Sequence, residues 1–124
     1  LIDWQRFRRR NLNAELQSRA GGFALFGCGD EEQAVAWLLR TDNIGDDGRV
    51  RRTAAPVQTT LTIPGLRPGC YRITAWDTDA GEVVTAADIL RSADGLLHAP
   101  VHDVTTDMAL AIRRQGGDTV PARA

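Results

Sequence analysis

Residues 63–82 read "IPGLRPGCYRITAWDTDAGE", and the turns at either end of this stretch decide the fold. Pro68 presets φ for a turn and Gly69 accepts a positive φ, so the chain reverses there. The run "CYRITAW" then alternates with period two: Tyr71, Ile73 and Ala75 take the buried side, Arg72 and Thr74 the outer side. Trp76 falls on the outer side as well, where a sheet normally meets water. The strand ends at "DTDAG", in which Asp77 and Asp79 flank Thr78 and Gly81 allows the reversal. "EVVTAADI" follows as the returning strand.

Working outward, the same period recurs. "VQTTLTI" places Val57, Thr59, Leu61 and Ile63 on one side and Gln58, Thr60 and Thr62 on the other. "FALFGC" and "QAVAWLLR" flank the turn "GDEE", and Trp37 shares a side with Val35 and Leu39, which predicts that it is core. "GLLHAPV" is a short extended piece, and "DMALAIRR" sends Met108, Leu110 and Ile112 inward with Asp107, Ala109 and Ala111 outward. About seven strands with turn signals every 8 to 12 residues or so give the profile of an antiparallel sandwich. Before them, residues 3–19 are expected to be a helix, capped by Asp3 and stopped by Gly21-Gly22, with Trp4, Phe7, Leu12 and Leu16 on a broad apolar arc. The fold expected is therefore all-β, an antiparallel immunoglobulin-like sandwich of about seven to eight strands behind an N-terminal helix. Its parts are a helix or linker (1–21), the sandwich (22–114) and a disordered tail (115–124).

Composition sets the class. The 124 residues carry a net charge of −1 and 43% hydrophobic residues, enough for one domain with a core of its own. Near-neutrality gives no general pull toward nucleic acid or an anionic membrane. The cluster "RFRRR" lacks stacking aromatics and reads as a solvated helix face. No apolar run approaches the length of a membrane-spanning helix. Every basic residue is arginine, a bias expected of a GC-rich bacterial genome. The opening Leu1 suggests a piece of a longer protein, and Cys28 and Cys70 permit one disulfide without requiring it.

Chemistry is sparse. Ser18 and Ser92 sit in no nucleophile elbow, and Cys28 has no protease motif around it. His98, His102 and Asp103 are three candidate ligands, but Pro100 breaks any helix between the histidines, and they read as ordinary surface or half-buried groups. "DNIGDDG" lacks the EF-hand pattern, so Asp42, Asp46 and Asp47 read as a polar hairpin end. "GGFALFGCG" has no helix behind it and fails as a dinucleotide loop. No cofactor and no metal are expected.

The formula "GLRPGCYRITAWDTDAGE" resembles immunoglobulin-like and fibronectin type III-like sandwiches. The strand order from Gly22 to Arg114, with "AWDTDAG" at 75–81 and "DMALAI" at 107–112, is similar to the C-terminal sandwich that follows the barrel in bacterial glycoside hydrolases. That resemblance implies a non-catalytic accessory domain packed on a catalytic domain of the same parent chain, with "DWQRFRRRNLNAEL" as the last helix of the barrel. It places the protein outside the cell or in the periplasm if the parent is secreted. A carbohydrate-binding module and a generic adhesion module stand as alternatives, because Trp76, Arg72, Asp77 and Asp79 could contact either a neighbouring surface or a sugar.

Overall fold

The computed structural model describes residues 2–42, 44–48, 55–78, 81–90 and 95–115. Nine strands are found among them: β1 (Arg10–Asn11), β2 (Gln17–Ser18), β3 (Phe23–Gly29), β4 (Gln33–Arg40), β5 (Val57–Pro64), β6 (Cys70–Asp77), β7 (Glu82–Leu90), β8 (Leu96–Val104) and β9 (Asp107–Arg114). They form a six-stranded sheet, β1-β3-β4-β9-β6-β7, and a three-stranded sheet, β2-β5-β8, with every pairing antiparallel. The chain changes sheets six times, on entering and on leaving each of β2, β5 and β8, so the two layers are interlocked. This is the sandwich-like, all-β architecture that the alternating sequence implies.

One core lies between the layers. Leu61, Ile63, Leu97, Ala99 and Val101 come from the small sheet, and Leu38, Tyr71, Ile73, Met108, Leu110 and Ile112 from the large one. The inward residues read from the period of β5, β6 and β9 are buried apart from half-buried Val57, with Gln58 and Arg72 exposed opposite them, but Thr74 and Ala111, read as outward, are buried too. Tyr71 is fully buried, yet its hydroxyl donates to the Arg67 carbonyl at 2.6 Å and lies 3.2 Å from that of Glu31. Its ring fills the core while its polar tip ties the "GLRPG" turn to the β3–β4 turn, so the buried hydroxyl is not orphaned.

Among the described residues no helix precedes the sandwich, contrary to the reading of residues 3–19. Asp3 is held by the Gln33 amide, its N–H donating to Oε1 at 2.6 Å and its carbonyl accepting from Nε2 at 3.1 Å. The Arg8 N–H donates to Asp30 at 2.9 Å. The chain then pairs with β3 as β1, makes one tight turn at Leu12–Leu16, and joins β5 as β2. Two asparagines explain the departure. Asn11 accepts from the Asn13 N–H and Asn13 from the Gly27 N–H, each at 2.8 Å; short amide side chains compete in this way with helical hydrogen bonding. The four-residue spacing of Leu12 and Leu16 serves the crossing: both are buried where the chain passes from one sheet to the other. They lie over Gly27 and Gly29 of β3, and a Cβ on either glycine would come within 2.9 Å of a leucine methyl. Gly27 and Gly29 of "GGFALFGCG" therefore make room for the crossing segment.

Arg40 ends β4 inside the protein, 3% exposed. Its guanidinium pairs with both oxygens of Asp42, at 2.8 and 2.9 Å, and donates to the carbonyls of Ala55, Val104 and Thr105. Hydrogen bonding to Asp42 raises its pKa against the opposing pull of burial, so it stays charged. Asp42, read as part of a polar hairpin end, is thus a buried arginine's partner. The tail (116–124) and most of the loop after Gly48 lie outside the described residues.

Two substitutions test this framework by urea denaturation. Arg40→Ala strands three carbonyls and should cost roughly 2–4 kcal/mol, whereas Asp42→Asn, on a half-exposed partner, should cost about 1 kcal/mol or less. Tyr71→Phe keeps the ring and removes the tie, and should cost about 1–2 kcal/mol.

Candidate functional site

The outer side of the large sheet is the chemically distinctive surface. Alternation along β4 puts Ala34, Ala36, Leu38 and Arg40 in the core, which leaves Val35, Trp37 and Leu39 outside. Trp37 is 42% exposed, so the expectation that it is core is overturned. Ala34, Ala36 and Leu38 join the same core as Leu12, Leu16 and Tyr71.

The pairing register then assembles a row that no short stretch of sequence contains. Phe26 on β3 faces Trp37 on β4, Trp37 faces Ala109 on β9, Ala109 faces Trp76 on β6, and Trp76 faces Val83 on β7. The next row is small: Cys28, Val35, Ala111, Thr74 and Ala86. Phe26 and Trp37 lean together with centroids 5.9 Å apart. Ile2 and Trp4 reach over from the segment tied to Gln33 and add a further wall. Trp4 packs edge-on against Phe7, 5.6 Å between centroids, and the Arg9 guanidinium lies 5.9 Å from its ring centre. The result is a groove of about 430 Å³ with aromatic walls and an alanine floor.

Polar groups are few there. The Trp37 indole N–H is already spent on Asp107, at 3.0 Å, and Thr74 is 5% exposed. Of the residues singled out from sequence, Trp76 lines this groove as an outward residue should. Arg72 lies on the same side of β6, two rows away beside Arg113. Asp77 closes the β6–β7 turn, its carbonyl accepting from the Gly81 N–H at 2.8 Å, with Gly81 at φ 72°. Asp79 lies outside the described residues.

No protein-family model matches this chain. No curated protein and no solved structure matches it either. Function therefore has to be argued from the surfaces themselves.

The other groups considered for chemistry are engaged locally. Cys28 and Cys70 are free thiols, on β3 and β6, with β4 and β9 between those strands. Burial pushes the Cys28 thiol up, opposed weakly by Arg9, which is the reverse of nucleophile activation. The Ser18 hydroxyl donates to the Ala20 carbonyl and lies 2.7 Å from that of Thr59. His98 Nδ1 is 3.2 Å from the Thr62 hydroxyl, and His102 Nδ1 is 3.0 Å from Gln58 Oε1, both on the small sheet. Gln58 also receives the Asp103 N–H and donates to its carboxylate, so it holds Asp103 at its φ of 56°. Among the described residues no group of three or more His, Cys, Asp or Glu side chains is placed to hold a metal ion. A polar cleft of about 440 Å³ near the β3–β4 turn gathers Arg6, Arg8 and Arg67 with Asp30, Glu31 and Glu32. Arg67 pairs with Glu32, and Asp30 caps backbone N–H groups.

Cys28 supplies a check on the outer surface. With its thiol held above the usual range, it should react with iodoacetamide at pH 8 several-fold more slowly than an unstructured cysteine peptide. Unfolding in urea should remove the difference.

Proposed function

We propose that this chain is a non-catalytic accessory module, an immunoglobulin-like sandwich that packs the outer side of its large sheet against a catalytic domain. The setting that fits the resemblance is a glycoside hydrolase. The observation that carries the proposal is the row Phe26–Trp37–Ala109–Trp76 over a second row of small residues. A sheet side facing only water alternates toward polar residues, and a contiguous apolar patch of this kind marks an interaction surface. Tyr71 supports the immunoglobulin-like part, since a tyrosine whose hydroxyl returns to the backbone four residues upstream is a recurrent corner of that fold. The outward barrel layer of many hydrolases is made of helices, a suitable apolar counterpart.

Carbohydrate binding is the second reading, favoured by one fact: Trp4, Trp37 and Trp76 all line one groove. Against it, sugar hydroxyls need polar partners, and the floor offers methyl groups.

Two measurements decide between them. The chain should bind an apolar dye such as anilinonaphthalene sulfonate in its folded state, Ala109→Glu should abolish most of that signal, and migration in polysaccharide-containing gels should match that in plain gels. Retardation by a soluble polysaccharide that Trp76→Ala removes would overturn the packing reading.

A further inference from the structure

The groove has the dimensions of a particular secondary structure. Trp37 on β4 and Trp76 on β6 stand two strands apart across Ala109, about 9.6 Å at the usual strand spacing. An α-helix with its side chains is about 10–12 Å across, so one helix lying on the sheet reaches both tryptophans and turns one stripe toward Ala109. The outward positions of β9 are Asp107, Ala109, Ala111 and Arg113, a run of about 20 Å that roughly 13 helical residues would cover. The two alanines keep the floor low enough for a helix to approach closely.

Fixed charges close both ends of that run. At one end is the Asp107 carboxylate, which accepts from the Trp37 indole and from the Thr106 hydroxyl and has further acceptor capacity. At the other is exposed Arg113, with Arg72 beside it in the register. A helix presents unsatisfied N–H groups and a positive pole at its N-terminus, and carbonyls with a negative pole at its C-terminus. Only one direction satisfies both ends.

We propose that the groove seats an amphipathic α-helix of a partner domain, its apolar stripe between Trp37 and Trp76, running parallel to β9 with its N-terminus over Asp107. This rests on the packing reading and names the element that covers the face; it is a helix-in-groove contact. A second copy fits less well. Ile2 and Trp4, tied over β4 through Asp3 and Gln33, raise one wall and keep two such faces from stacking flat.

The test uses two capped peptides of about 15 residues with the same leucine stripe, one with Arg in its first turn and Glu in its last, the other reversed. All three tryptophans of the chain line the groove, so their emission reports binding directly. The Arg-first peptide should bind several-fold more tightly, because only in it do the end side chains and the helix poles both match Asp107 and Arg113. The double variant Asp107→Arg, Arg113→Asp should reverse the preference, and Ala109→Glu, or Trp76→Ala if that variant does not fold, should abolish binding of both. Equal affinities, an unreversed preference, or no binding overturns the helix proposal. If no peptide binds while the dye still marks the face, the packing reading stands alone; if the dye does not bind either, both fall. A dimer in sedimentation that Ala109→Glu dissolves assigns the face to a second copy instead.

Discussion

A strand that is apolar on both sides has to be covered twice, and this constraint governs the protein. β4 and β9 occupy the middle of the large sheet, and "AVAWLL" and "MALAI" leave neither side polar. Near-continuous apolar runs are the mark of strands buried on both sides. The small sheet, with Leu12 and Leu16, covers the inner side and forms the single core. The outer side carries Trp37, Trp76 and the alanines between them. That side is open among the described residues, so the candidate site of this protein is a face instead of a cluster of reactive groups.

How much of this was legible depended on the strand. β5 and β6 gather Gln58, Thr60, Thr62, Arg72 and Thr74 on one side, and β9 carries Asp107 and Arg113 on one side at its ends, so their phase could be read directly. β4 has no such marker: both sides are apolar, and the heavier set of Val35, Trp37 and Leu39 was assigned to the core. In the opposite phase Ala34 and Ala36 join a core whose other members, Leu12, Leu16 and Tyr71 among them, lie far away in sequence. Residues 3–19 failed as a helix for a related reason. Leu12 and Leu16 have helical spacing, but Asn11 and Asn13 hold the backbone by local hydrogen bonds and two sheets compete for its N–H groups. Trp76 was legible as an outward residue from its own strand. Its companions were not, since bringing Phe26 and Trp37 beside it takes the register of four strands.

Arg40 shows how the layers are fastened where the core runs out. Apolar contact fixes the separation of two sheets without fixing how they slide, because it has no direction. A guanidinium with five donors in a rigid plane does have direction. Arg40 uses it to join the end of β4 to the β8–β9 turn and to the approach to β5. Tyr71 does the same at the opposite end of the β4 hairpin, where its hydroxyl meets the Arg67 and Glu31 carbonyls.

The crossing segment has one more consequence. Two open sheets have four edges, each a row of unpaired N–H and C=O groups able to recruit a strand from another molecule. In the order of the sheets these edges are β1 and β7, and β2 and β8. The first of each pair is only two residues long, and both are supplied by one stretch of nine residues, Arg10–Ser18. The other two carry irregularities in their pairing, opposite Ala75–Trp76 in β7 and opposite Val57–Thr59 in β8, the latter pinned by Gln58. Short strands and bulges are the two cheapest ways to make an edge a poor template. Among the described residues, each of the four edge strands is thus either very short or interrupted by a bulge.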